Sequence, residues 1–284
     1  MDILTRAAQW WEQGHGAALV TLVEIRGGAA RALGAQMAVR ADGLYCGYIS
    51  GGCTEAAVAA EAMQAIENGL DRFLKLGEGS PFFDIMLPCG GGLNLAIHVL
   101  RSSIEIRTML EQVMNHRSPA SLAYDPATQR LTATSDIDIG DWRDGIFLTS
   151  YRPKVRLLLA GSRHEVEMCA KVGRAMEYDV SVISDRSRMC WHFDADTAVA
   201  LLFHDLDKEL PVLRAALESD CFYIGALGSK RTHERRVKAL EELGVPAQSM
   251  LRIKAPIGLI PKARDTATIA VSVMAEIAAT RKNN

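Results

Sequence analysis

Residues 155–161, Val155-Arg156-Leu157-Leu158-Leu159-Ala160-Gly161, form a short apolar run that ends in glycine and runs on into Ser162-Arg163-His164-Glu165-Val166. Val166, Cys169, Ala170, Gly173 and Met176 then recur at helical spacing, so the stretch reads as strand, turn and amphipathic helix. Val180-Ser181-Val182-Ile183-Ser184-Asp185 is a second strand, 198–203 a third and Phe222-Tyr223-Ile224 a fourth. Strands separated by helical patterns imply a parallel sheet with helices on both faces. Ile269, Ala270, Val273, Met274 and Ile277 mark a last helix with little charge before Glu276, expected to pack deep. Residues 151–284 are therefore expected to form a Rossmann-like domain with a mostly parallel sheet.

The preceding 150 residues read as mixed α/β. Trp10 and Trp11 lie in an opening helix, and 17–23 is a buried strand. Gln36–Arg40 and 44–48 are strands joined at Asp42-Gly43, a pair that favours a type I′ hairpin turn because both central residues need positive φ. Glu55–Glu67 is helical and stopped by Asn68-Gly69, and Leu93–Leu100 is a further strand. The stretch 116–145, with His116-Arg117-Ser118-Pro119, Asp125-Pro126 and Ser135-Asp136-Ile137-Asp138, reads as a polar linker in which only Arg130–Thr134 suits a strand. A length of 284 residues, about twice the ~150 per domain taken as a prior, agrees with a division near 150.

Hydrophobic residues at 49% and charged ones at 23% suit a chain that buries a core and exclude a disordered one. No run approaches the ~18 apolar residues of a membrane span, and Met1-Asp2-Ile3-Leu4 does not open a secretory leader. With 32 basic against 34 acidic residues, net charge −2, there is no general reason to expect nucleic acid. Six cysteines (46, 53, 89, 169, 190, 221) in such a chain point to the reducing cytoplasm, without disulfides. The absence of Cys-x-x-Cys and of His-Glu-x-x-His gives a zinc site little support.

Three glycine-rich turns in the first half concentrate the candidate chemistry. Ser50-Gly51-Gly52-Cys53-Thr54-Glu55 enters a helix, where backbone approaches a ligand closely and free N–H groups attract anions. The same field lowers a thiol's pKa and makes Cys53 a candidate thiolate; a tight turn with Cys53 as a small buried cap is the plainer alternative. Pro88-Cys89-Gly90-Gly91-Gly92 has the backbone freedom of a loop that wraps a ligand, or of a hairpin connection with an incidental cysteine. In Arg26-Gly27-Gly28-Ala29-Ala30-Arg31-Ala32-Leu33-Gly34, Arg31 is placed to clamp a phosphate, or to be simply solvated.

In the second half, a dinucleotide fingerprint would want glycine at 161, 163 and 166, and only Gly161 is present. Asp185, 24 residues after Gly161, is placed for a ribose, but Arg163 stands where pyrophosphate lies on bare backbone, so NAD(P) binding is doubtful. Gly225-Ala226-Leu227-Gly228-Ser229-Lys230-Arg231-Thr232-His233 is again strand to turn to helix. Nine Lys/Arg against three Glu over 222–264 give +6 there and leave −8 elsewhere, so an anionic ligand or acidic partner is one reading and a solvated helix face the other. His204-Asp205 follows the strand 198–203 on the edge where such sheets bind ligands.

In this order the pieces resemble the XdhC/CoxI family of xanthine dehydrogenase accessory proteins. The matching stretches are Gly34-Ala35-Gln36-Met37, Ile49–Glu55, Leu87–Gly92, Tyr223–Arg231 and Ala255-Pro256-Ile257-Gly258-Leu259. Departures are Gly161-Ser162-Arg163-His164-Glu165 for a Gly-x-Gly-His-Val turn, Gly28 and Ala30 for the usual Ser and Pro, and Ile260 for an acidic residue. The resemblance implies an N-terminal cofactor domain and a C-terminal Rossmann-like domain, often as a homodimer in the cytoplasm. It implies a non-enzymatic chaperone that binds molybdenum cofactor (molybdopterin) and inserts it into an apo molybdenum hydroxylase of the xanthine dehydrogenase type, with a sulfurtransferase as a further partner. The cofactor-binding candidates are then Arg31, Ser50, Gly51, Gly52, Cys53, Glu55, Cys89, Gly90, Gly91 and Gly92, with Gly161, Asp185, Gly225, Gly228 and Ser229 in the second domain. Cys53 and Cys89 are the candidate metal ligands, since soft thiolates suit such a centre. The rival readings are an NAD(P)-dependent oxidoreductase and a protein–protein adaptor.

Overall fold

Ten residues, Ala17–Arg26, form β1, and the first seven are buried in a row because this strand lies at the centre of a five-stranded sheet covered on both faces. The computed structural model describes residues 1–52, 54–77, 91–137, 140–183 and 191–282, which divide into two units, Met1–Pro153 and Lys154–Asn284. Cys53, Cys89, Gly90 and Asp185 lie outside the described residues. No described helix is long and apolar enough to cross a membrane.

In the first unit α1 (Asp2–Glu12) precedes β1, β2 (Gln36–Arg40) and β3 (Tyr45–Gly47); α2 (Glu55–Asn68), β4 (Arg72–Gly77) and β5 (Gly92–Val99) follow. The sheet order is β3-β2-β1-β5-β4, antiparallel throughout. One face buries Ala18, Val20, Leu22, Leu93, Leu95 and Ile97 against Val58, Ala59, Ala62 and Ala65 of α2. The other carries Ala17 and Leu19 against α1 and against α3 (Ile104–Met114). One extra residue sits in β1 between the pairs Leu22↔Leu95 and Glu24↔Asn94, a β-bulge next to the loop end. α2 stops at Gly69, φ 65°, whose N–H reaches Ile66 O while that of Leu70 reaches Ala65 O, the glycine termination expected at Asn68-Gly69.

Two expectations need correction here. The stretch 116–145 is not a linker: β6 (Ala120–Asp125), β7 (Arg130–Thr134), β8 (Asp141–Arg143) and β9 (Ile146–Tyr151) make a four-stranded antiparallel sheet, order β7-β6-β9-β8. Its turn-rich composition is that of hairpins, with Asp125 Oδ1 accepting the N–H of Ala127 at 2.9 Å and Asp125 Oδ2 the hydroxyl of Thr128 at 2.6 Å. Its apolar residues Tyr124 and Phe147 pack on Val23 and Ala96. The turn at Asp42-Gly43 is not type I′ either. It spans more than two residues between β2 and β3 and is closed by Gly43 N–H on Arg40 O at 2.9 Å, so a single positive φ, that of Gly43 (87°), suffices, with Asp42 Oδ1 accepting the N–H of Leu44 at 3.2 Å.

The second unit contains β10 (Arg156–Gly161), α4 (Arg163–Ala175), β11 (Asp179–Val182), β12 (Thr197–Leu202), α5 (Leu206–Leu217), β13 (Tyr223–Ala226), α6 (Lys230–Glu242), α7 (Ala247–Met250), β14 (Ile253–Lys254) and α8 (Thr266–Lys282). The order β11-β10-β12-β13-β14 is parallel throughout, the doubly wound Rossmann-like arrangement whose direction reverses between β10 and β12. All six residues of β12 are buried at its centre. Val166, Cys169, Ala170, Ile269, Val273 and Ile277 from α4 and α8 cover one face, as their spacing requires. Val212, Leu213, Ala216 and Leu240 from α5 and α6 cover the other. Met176, expected on the buried stripe of α4, is exposed because the helix ends at Ala175 and the chain turns away before it.

Candidate functional site

Antiparallel pairing puts the end of β1, the start of β2, the end of β3, the end of β4 and the start of β5 at one end of the five-stranded sheet. The connections that leave there are 27–35, 48–54 and 78–91, and they contain the three glycine-rich segments of the first half. The helix between them, α2, begins at the same end. Each motif stands out in the sequence; only the topology brings the three together.

The loops also touch. A Cβ placed on Gly91 would strike the carbonyl oxygen of Arg26 and lie 2.5 Å from that of Gly28, so the backbone of the third loop is seated directly on the first. One placed on Gly27 would lie 3.4 Å from Gly91 Cα, and one on Gly51 would lie 3.6 Å from Ala30 Cβ, which brings the second loop alongside the first as well. Arg31 and Gly52 stand exposed on this end.

Glu55 organises the turn that precedes it. Its side chain is buried, and Oε1 accepts the N–H groups of Ile49 (3.1 Å) and Ser50 (2.9 Å). The hydroxyl of Ser50 donates to the same carboxylate at 2.9 Å, and the N–H of Thr54 donates to Oε2 at 3.1 Å. Burial raises its pKa, but the donors of Ser50, Glu55 and Gly52 outweigh burial and hold the group down at about 2. The negative charge expected at the head of α2 is therefore the protein's own carboxylate, which satisfies donors that an anionic ligand would otherwise meet. Ser50 and Glu55 thus hold the shape of the turn between them.

One residue of this end was not singled out in the sequence. Arg26, the last residue of β1, pairs with Gly92 across the ladder. A Cβ on Gly92 would lie 2.7 Å from Arg26 Nη2 and 3.0 Å from Nε, so the guanidinium occupies the space that glycine leaves. Arg26 Nε and Nη2 are buried and have no acceptor among the described residues. The only sequence signal was an arginine directly before Gly27-Gly28, and its meaning depends on a ladder partner 66 residues away.

In the second unit a cavity of about 820 Å³ opens at the carboxyl edge of the sheet, lined among others by Gly161, Ser162, Arg163, Trp191, His204 and Asp205. Gly161 has φ 139°, and a Cβ there would run into the Leu202 backbone, so a glycine is needed for strand packing alone. Arg163 lines this cavity and pairs with Glu167, also in its wall, at 2.7 Å. Asp205 caps α5 through the N–H of Asp207 at 3.1 Å, and Ser229 caps α6 through that of Thr232 at 3.2 Å. Gly225 lies within β13 against Tyr223 and Ile257, and Gly228 precedes the Ser229 cap against Thr232.

The basic patch of 222–264 also needs correcting. Arg236 is fully buried and ion-paired with buried Glu209 through Nε to Oε1 and through Nη2 to Oε2 at 3.1 Å, while Nη2 also donates to Leu227 O at 2.7 Å. Arg252 donates to the carbonyls of Leu217 (3.0 Å) and Cys221 (2.8 Å). Lys230, Arg231, Arg235, Lys238, Lys254, Lys262 and Arg264 remain exposed at the surface.

Comparison with known proteins adds the following. The family model described as the XdhC Rossmann domain matches residues 157–277, and the one described as the XdhC and CoxI family matches residues 10–77. The chain is 48% identical over 280 residues to the molybdenum cofactor insertion chaperone PaoD of Escherichia coli, with 98% of this chain and 88% of that one covered. It is 26% identical to a protein of Bacillus subtilis named as a probable xanthine dehydrogenase component, with 94% and 93% covered. A crystal structure of a xanthine dehydrogenase from Bacillus halodurans matches with a TM-score of 0.74 at 19% identity, over 100% of this chain and 97% of that one, a likeness of fold.

Proposed function

The chain belongs to the XdhC and CoxI family, and on that footing we propose that it takes up molybdenum cofactor as cargo, shields it and inserts it into a molybdenum hydroxylase of the xanthine dehydrogenase type. It acts as a chaperone and not as an enzyme. The observation that carries this reading is the meeting of three glycine-rich loops at one end of the first sheet, with Gly91 seated on the Arg26–Gly28 backbone and Gly51 beside Ala30.

The chemistry of the cargo suits that end. A metallopterin joins a phosphate, which seeks N–H and guanidinium donors, to a polar ring and a soft, sulfur-bound metal. Arg26 and Arg31 supply guanidinium groups, Gly51 and Gly52 let backbone approach a flat ligand, and Gly91 and Gly92 let the third loop close onto Arg26 and Gly28. Cys53 and Cys89 belong to the same loops in sequence and are our candidates for thiolate contacts to the metal or its terminal sulfur. The partner is the apo hydroxylase; a sulfurtransferase and a second copy of the chain are further proposed partners, in the cytoplasm.

The test is direct. Protein purified from molybdenum-replete cells is expected to carry pterin and molybdenum near one per chain and to activate an apo hydroxylase on mixing. Protein that carries neither under those conditions overturns the reading. Replacing both Cys53 and Cys89 by Ala is expected to lower retention; unchanged retention removes the thiolates from the site and leaves the chaperone reading standing.

A further inference from the structure

Arg26 is an ionised side chain placed as if for a partner that the described residues do not provide. A guanidinium does not neutralise itself by losing a proton, so its buried N–H groups need acceptors. Nε and Nη2 of Arg26 have none among the described residues. These two atoms form one edge of the guanidinium, with parallel N–H bonds that match two oxygens of a phosphate or carboxylate. Glu24, two residues back on the same strand, does not serve: it accepts Asn94 Nδ2 at 3.2 Å and leaves both nitrogens of Arg26 unanswered. The Oδ1 of Asn94, two residues along β5 from Gly92, is likewise buried without a donor among the described residues. A donor edge and an acceptor thus lie unsatisfied near the same ladder end, and neither satisfies the other.

We infer that Arg26 is the oxyanion anchor of the glycine-loop end, gripping a phosphate group of the bound ligand through its Nε–Nη2 edge. The inference rests on the proposed function for the identity of the ligand and on geometry for the class of group. The charge at the head of α2 points the same way: the Glu55 carboxylate already meets the N–H groups of Ile49, Ser50 and Thr54, which leaves an anion to be met by a cationic side chain. Gly92 completes the arrangement, because any side chain there would displace the guanidinium.

The experiment compares wild type, Arg26→Ala, Arg26→Gln and Arg26→Lys in two measurements. The first is pterin and molybdenum per chain after purification from molybdenum-replete cells. The second is the rise in Tm of cofactor-stripped full-length protein with added inorganic pyrophosphate. Arg26→Ala and Arg26→Gln are expected to lose at least tenfold in cofactor retention and to abolish the pyrophosphate-dependent rise; Arg26→Lys, a point charge without the fork, falls between. Without pyrophosphate the Ala and Gln variants are expected to melt no lower than wild type, since they remove an unpaired buried charge, whereas a purely structural arginine would leave them less stable. Wild-type retention and an unchanged pyrophosphate response in both variants overturn the anchor and leave the chaperone reading intact. A pyrophosphate response that depends on Arg26 in a protein that never carries pterin keeps the anchor and overturns the chaperone reading.

Discussion

Glu55 Oε1 accepts the backbone N–H of Ser50 at 2.9 Å, so the first residue of α2 reaches back across the glycine turn that leads into it. The turn and the helix are therefore one structural unit, and an acid in this position acts on the site by holding the loop's shape.

Removing that acid is the first test. Glu55→Ala removes the acceptor of the buried Ile49 N–H and the half-buried Ser50 N–H and leaves that of Thr54 only Ser50 Oγ at 3.2 Å; with hydrogen bonds to charged groups worth about 1.5–3 kcal/mol each, partly recovered by water, a net loss of about 3 kcal/mol is expected. Glu55→Gln keeps one acceptor oxygen and is expected to lose about half as much. Urea unfolding monitored by circular dichroism measures both; a change in Glu55→Ala below about 0.5 kcal/mol, the range of plain surface substitutions, contradicts the role given to it.

The same carboxylate sets an acid limit. It titrates near 4.5 in the unfolded chain and at about 2 in the folded one, so between these values the unfolded state binds more protons. Its contribution is complete above pH 4.5 and is lost as pH falls toward 2. Asp71 acts in the same direction: burial raises its pKa, but the His98 and Arg101 side chains and the Val99 N–H together lower it. Wild-type Tm is expected to fall more steeply than that of Glu55→Gln below pH 4.5. Parallel curves for the two proteins would remove Glu55 from the account.

Asp71 joins the two sheets of the first unit. Its buried carboxylate accepts His98 Nδ1 at 2.7 Å, Tyr124 Oη at 3.0 Å, Val99 N at 3.0 Å and Arg101 Nη1 at 2.8 Å. Tyr124→Phe removes one of these bonds and is expected to cost about 1.5–2 kcal/mol, whereas Asp71→Ala leaves several buried donors unanswered and should cost about 3–5 kcal/mol. Equal effects from the two substitutions in chemical denaturation would mean that the network is not anchored on the aspartate.

The Glu209–Arg236 pair offers a sign test in the second unit. Either single replacement by an apolar residue leaves a buried charge alone and is expected to cost about 3–5 kcal/mol. Replacing both, Glu209→Leu with Arg236→Met, should recover most of that loss, because the pair's attraction roughly offsets its desolvation. A double variant as unstable as the worse single one would show that the bond from Arg236 to Leu227 O, at 2.7 Å, is what matters.

Much of the fold was legible because burial leaves a strong periodic trace. Strand β12 is almost wholly apolar, and α8 carries its core residues at 269, 270, 273, 274 and 277. The sheet of residues 120–151 was not legible: its strands are half polar, and Asp125, Asp144 and Gly145 serve hairpins as readily as a linker. The glycine loops were legible one at a time, since glycine clusters stand out in any sequence. Their convergence was not, since it follows from antiparallel order. Arg236 looked like one more surface cation because nothing local reveals Glu209, 27 residues earlier, as its partner. Arg26 escaped notice for the same reason, as its setting is defined by Gly92 on another strand.

The extra residue in β1 has a consequence for how this end can change. Without it, the alternation that places Leu22 on the apolar face would carry Glu24 to the same side, opposite Leu93. By resetting the phase, the bulge gives the last three residues of β1 a reading frame of their own. Side chains of the hydrocarbon interior and of the tip can then be exchanged on one strand without either set moving to the other's face.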